Sequence, residues 1–218
     1  MTVLKSPRLP SFADLAPATH ADLTALPVDG RVEDAAFVED LAAGADLEDT
    51  VFTGCTFHRV GVSDADLNRA SFGDCRFTEL NAPVFRAPDS TWFNTRLAQT
   101  RLGSAELYGA SLRAVRFDGG KLGFVNFRQA KLRDVAFHDV VFDELDLGSA
   151  TLERVSFTDC RVDTLTLDGA KLKDVDLRGV HFRAVSGMAG LRGATIDALQ
   201  LADLAPALAA HVGLVVAD

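Results

Sequence analysis

The chain has 218 residues, 48% of them apolar and 24% charged, and a formal net charge of −9. That is material for one good-sized soluble domain with a continuous core, and its acidic balance opposes direct binding to the phosphate backbone of nucleic acid. No apolar run approaches the ~20 residues of a membrane span, and the opening Met1-Thr2-Val3-Leu4-Lys5 lacks the apolar stretch of a signal peptide, so no membrane association and a cytoplasmic location are expected.

Residues 1–44 read as an N-terminal cap. Within them, Glu33 to Ala43 has two readings. One is a short amphipathic helix stopped by Gly44; the other is a degenerate first coil, because Val32, Phe37 and Ala42 keep a five-residue phase. From Leu47 to Phe182 that phase is unmistakable: Leu or Phe fills 23 of 28 places at a spacing of five. Two residues earlier in each repeat lies a second, chargeless column of small and apolar residues, from Ala45 to Val180.

A period of five scatters side chains around an α-helix and sends them to alternate faces of a strand. The chain must therefore turn a corner in every repeat. With residues i−2 and i pointing inward, each repeat becomes a strand fragment followed by a turn, and successive coils stack by parallel pairing. Blocks such as Ala65-Asp66-Leu67-Asn68-Arg69, Ala110-Ser111-Leu112-Arg113-Ala114 and Ala170-Lys171-Leu172-Lys173-Asp174 resemble the A(D/N)LXX unit of the pentapeptide-repeat family. The resemblance implies an all-β fold, a right-handed quadrilateral parallel β-helix of about seven 20-residue coils over residues 45–185, ~34 Å tall at ~4.8 Å per coil.

In that frame the walls are centred on Leu47, Phe52, Phe57 and Val62 and on their successors 20 residues on. The third wall then carries a stack of Phe57, Phe77, Leu97, Phe117, Phe137, Phe157 and Leu177. Residues 81–90 interrupt the pattern with Ala82, Ala87, Pro83 and Pro88, and read either as an extruded loop that rotates the first coils by two faces or as a regular coil.

After Phe182 the phase slips at Ser186–Gly190, and Leu191, Ile196 and Leu201 restart it one residue early. Residues 186–218 read as a C-terminal cap with a helix from Asp197 to His211, kinked or restarted at Pro206 and stopped by Gly213 before Leu214-Val215-Val216. The family's head-to-head dimers imply a homodimer through this end, with Leu201, Leu204, Leu208 and Val212 as candidate interface residues.

Catalytic chemistry has few candidates. Cys55, Cys75 and Cys160 occupy the inward column and read as core filler. His58 and His138 share an outward column four coils apart, and His138 stacks one coil from Asp118, where a surface ion pair is expected. With no nucleophile elbow and no phosphate loop, the chain is expected to be no enzyme and to need no cofactor or metal.

Charge is sorted unequally. The first wall carries Asp46, Glu48, Asp49, Asp66, Asp89, Glu106, Asp146 and Asp168 against Arg69, Arg86 and Arg128, a net of −5. The second carries Arg113, Lys131, Arg133, Arg154, Lys171 and Lys173 against Asp74, Asp134, Glu153 and Asp174, a net of +2. A further acidic cluster, Asp139, Asp143, Glu144, Asp159 and Asp163, is expected near one corner of the later coils, and Arg76, Arg96 and Arg116 stack on the third wall. Carboxylates stacked along a narrow rod can imitate duplex charge. The family resemblance implies such a mimic of DNA, acting on DNA gyrase or another type II topoisomerase as quinolone-resistance members do. The alternatives are a structural or scaffolding solenoid with an unrelated protein partner, and acidity that merely follows from Asp and Asn suiting the turns.

Overall fold

The computed structural model describes residues 4–11 and 19–215; Val216 and Met1–Val3 lie outside the described residues. Every fifth residue from Val32 to Leu167 is buried, and strands pair in parallel with those 20 residues before and after, as in Phe37↔Phe57↔Phe77 and Phe117↔Phe137↔Phe157. The result is a right-handed, four-sided parallel β-solenoid of about nine turns. Handedness follows from the twist of L-residue strands, which admits almost only right-handed connections between parallel neighbours.

The register makes like side chains stack. Phe57 and Phe77 rings lie 4.3 Å apart and 5° from parallel; Phe117–Phe137 and Phe137–Phe157 are each separated by 4.8 Å. Leu97 separates these two ladders on the third wall, as the spacing predicts.

One open alternative is settled and one expectation, the coil count, is corrected. Of the two readings of Glu33–Ala43, the helix is the one that fails: Arg31–Glu33 and Ala35–Val38 are strands paired at the 20-residue offset with Val51–Thr53 and Thr56–His58. Val32, Phe37 and Ala42 fill the core there, so coiling starts upstream of residue 45 and the turns exceed seven. A short strand, Thr19–His20, pairs with Ala35–Ala36 at an offset of 16 and covers that end.

Residues 81–90 stay in the coil: Asn81–Arg86 is a strand in register with Arg101–Glu106, and nothing rotates. Two compensations make this possible. Where the central residue shrinks to Ala82 and Ala87, the inward residue two places earlier grows to Leu80 and Phe85, which conserves core volume. Pro88, at the position after the central residue, also costs no ladder bond. At its equivalents the Glu48, Asn68 and Arg128 N–H groups donate to the side chains of Asp46, Asp66 and Asn126 instead of to a neighbouring strand. Pro88 lies two places after Arg86, which offers no such acceptor, and has no N–H to satisfy.

At the far end the phase slip is real. Ala194–Thr195 pairs with Val175–Asp176 at an offset of 19, after a 3-10 turn at Met188–Leu191. Helix α1, Ala198–His211, begins with a capping box between Asp197 and Gln200 and runs unbroken through Pro206. Gln200 donates to the carbonyls of Leu177 (2.6 Å) and Val180 (2.8 Å), satisfying acceptors that no further coil covers.

Candidate protein-binding surface

Asp46 and Asp66 precede the central leucines of the first wall, and each carboxylate accepts the N–H two residues on, at 3.2 Å and 2.9 Å. Asp146 does the same for Gly148. These Asx turns explain Asp and Asn at that place of the repeat by backbone chemistry alone. Glu48 and Asp49 are not free charges. Arg69 grips Asp49 with two bonds, 2.8 Å and 2.6 Å, and reaches Glu48 at 3.1 Å; the guanidinium holds the Asp49 carboxyl below its ordinary range.

The later acidic cluster spreads over the fourth wall rather than meeting at one corner. Asp139 and Asp159 sit at left-handed corner positions on one side (φ 55° and 54°). Asp143 and Asp163 lie on the face, paired with Lys121 and Arg161 at 2.9 Å each. Glu144 lies on the opposite side, against the first wall. There a groove of about 260 Å3 is lined by Ser104, Glu106, Phe124, Asn126, Glu144 and Asp146, and Phe124 is 58% exposed. This union of Glu106, Glu144 and Asp146 around an aromatic ring was missed from the sequence. The available signal was the two-residue spacing of Glu144 and Asp146, which spans the fourth-to-first corner.

The second wall loses one charge of each sign to its corner, so its net of +2 stands. Arg154 and Asp134, counted as outward, are 5% and 7% exposed and form a two-bond pair of 2.6 Å and 2.7 Å at the corner; that pairing depresses the Asp134 carboxyl. Arg113 sits 5.4 Å above the Phe93 ring. On the third wall, Asp118 takes the Nε of both Arg96 and Arg116 and lies 3.9 Å from His138, so the expected His138–Asp118 contact forms within a larger cluster.

The cysteines lie in the core as expected; burial pushes the Cys160 thiol up to about 11. Of the four candidate interface residues, Leu204 is buried against the solenoid end and Leu208 is half-buried, whereas Leu201 and Val212 are exposed beside Leu199 and Leu214.

The family model for the pentapeptide repeat region matches residues 110–186. Over that stretch the chain is similar to the pentapeptide-repeat family. No curated protein matches it by sequence. Among solved structures it is similar to full-length QnrB1, a plasmid-mediated fluoroquinolone resistance protein, at 18% identity over 87% of this chain and 94% of that one, with a TM-score of 0.42. A trypsin-treated point variant of QnrB1 gives 19% identity, 91% and 96% coverage and a TM-score of 0.41. HetL, a pentapeptide-repeat protein involved in heterocyst differentiation regulation from the cyanobacterium Nostoc sp. strain PCC 7120, gives 17%, 68% and 74%, and 0.37.

Proposed function

We infer that this protein is a non-catalytic protein-binding solenoid whose acidic side engages a protein that normally grips DNA, with DNA gyrase the first candidate. The observation that carries this reading is the groove where Glu106, Glu144 and Asp146 surround exposed Phe124. It combines an anionic rim, in which Asp146 is shared with Arg128 at 3.3 Å and Glu106 and Glu144 steer a cationic partner, with an aromatic anchor. Asp139, Asp159 and the turn carboxylates Asp46 and Asp66 extend the negative field along the rod.

The partner meets the protein in the cytoplasm. No helix among the described residues is long and apolar enough to cross a membrane. Two copies join through the C-terminal end, using exposed Leu199, Leu201 and Val212; Leu204 is already spent on the solenoid.

A gyrase supercoiling assay decides the reading. Inhibition, or protection from quinolone-induced cleavage, is expected to weaken steeply with salt and to fall on Glu144→Lys with Asp146→Lys more than on Arg113→Glu with Lys131→Glu. No binding and no effect on supercoiling would remove gyrase. A second reading, a scaffold with another partner, draws on the pairing of Glu48, Asp49, Asp143 and Asp163 with Arg69, Lys121 and Arg161, which lowers the usable negative charge.

A further inference from the structure

The corner between the second and third walls lies diagonally opposite the acidic groove, and the chain's own N-terminal segment runs along it. The Lys5 N–H donates to Asp174 (3.3 Å) and the Arg8 N–H to Asp134 (2.9 Å), so three residues of the segment span two coils. Pro7 and Pro10 fix their own φ near about −65° and restrict Ser6 and Leu9 to extended or polyproline-II backbone. One polyproline-II turn is three residues and ~9.3 Å, against ~9.6 Å for two stacked coils. The two pitches match.

Residues 5, 8 and 11 therefore hold equivalent places of the turn, with the Lys5 and Arg8 backbone N–H groups directed at the solenoid and their side chains exposed. The acceptor two coils beyond Asp134 in the same column is Asn94, whose Oδ1 is buried and has no hydrogen-bond partner. Between them Ala114 carries no polar side chain and opens a groove of about 460 Å3, lined by Arg8, Leu9, Pro10, Phe93, Asn94 and Arg113 among others. Its Asp134 acceptor is held rigid by Arg154, and Phe93 offers an aromatic wall of the sort proline-rich ligands use.

We propose that this corner is a docking track for polyproline-II segments with proline at every third residue, occupied in cis by residues 5–11 and open to such a segment from another polypeptide. The fixed acceptors at two-coil spacing read backbone N–H groups, and the groove beside Phe93 takes the proline and its apolar neighbour. Recognition is by pitch and by backbone, so it tolerates varied residues at the non-proline places.

The test uses the full chain and a fluorescein-labelled peptide, Leu-Lys-Ser-Pro-Arg-Leu-Pro-Ser, followed by fluorescence anisotropy. Arg8→Pro removes the N–H given to Asp134 and loosens the cis segment. Because a tethered competitor acts at a millimolar effective concentration, the peptide is expected to bind this variant on the order of tenfold tighter than the unaltered chain. Adding Ala114→Asn, which suits the left-handed backbone there (φ 56°) and fills the groove, is expected to abolish that binding. Equal affinity for both chains, equal binding of a peptide with the same residues but adjacent prolines, or indifference to Ala114→Asn would overturn the proposal. If Arg8→Pro misfolds by circular dichroism, Pro7→Gly with Pro10→Gly carries the same expectation. In the unaltered protein, Lys5 and Arg8 amides exchanging as fast as in the free peptide would equally overturn it.

Discussion

The early and later coils turn the same corner differently. Between the fourth and first walls, Gly44 and Asp64 adopt left-handed backbone (φ 68° and 60°), as residues at the other corners do. From Asn81 onward the strand continues round that corner, through Asn81–Arg86 and Arg96–Glu106 and on into the 16-residue strands Ser111–Asn126 and Lys131–Asp146. The geometries meet where the Asp64 N–H donates to the Val84 carbonyl at 2.9 Å. Gly and Asp tolerate positive φ, whereas β-branched Val84 resists it. Once one coil rounds the corner extended, its ladder bonds impose the same path on the next. The acidic groove exists because of that choice, since it occupies the extended corner of the later coils.

The largest test of the comparison is in the core beneath both geometries. Phe137→Ala and Phe57→Ala each remove a ring from a stacked ladder and should cost ~3–5 kcal/mol in chemical denaturation. Because a solenoid's coils contact only neighbours, Phe137→Ala is also expected to split the transition in two. A single unchanged transition would show the coils to be more strongly coupled than nearest-neighbour stacking allows.

Gly103→Ala probes the extended corner. An added Cβ would meet the Pro83 carbonyl oxygen, so ~1–3 kcal/mol of overpacking is expected. Asp64→Val probes the left-handed corner and should cost ~1–2 kcal/mol, while Val84→Thr should be close to neutral. If Asp64→Val were neutral too, side-chain tolerance of positive φ would not be what separates the two regions.

The smallest effect is at the C-terminal cap. Backbone N–H groups of Gln200 and Gly179 bond the Asp197 carboxylate and hold its pKa below the ordinary value of 3.8. A carboxyl depressed in the folded state stabilises it above the unfolded pKa and loses that contribution as pH falls through the folded value. Helix α1 should therefore fray only below about pH 4, where carboxylates protonate. Circular dichroism at 222 nm should show this loss, and Asp197→Asn, which keeps the cap but cannot titrate, should abolish it.

Much of the fold was legible because a five-residue period has one economical solution. The inward columns, the Phe ladders, the buried cysteines and the one-residue slip near Gly187 all follow from spacing. The reading of residues 33–43 as helix failed because local amphipathicity cannot register the ladder bonds offered by Val51–Thr53 and Thr56–His58. Residues 81–90 could not be settled locally either, since Leu80 and Phe85 compensate Ala82 and Ala87 only when both inward columns share a core. For the candidate surface, the sequence sorted charges by wall but could not see which were neutralised. Arg154 and Asp134 were counted as solvent-facing, and Arg69 as one cation among acids rather than the clamp on Asp49 and Glu48.

What the sequence by itself determined was the period, hence the solenoid, the inward residues and the stacking order, because those depend on residues a constant number of places apart. Only the tertiary structure decided which carboxylates stay free, which corner opens into a groove, and that residues 5–8 lie against Asp134 and Asp174. Those outcomes depend on contacts between segments whose separation in sequence has no repeat to announce it.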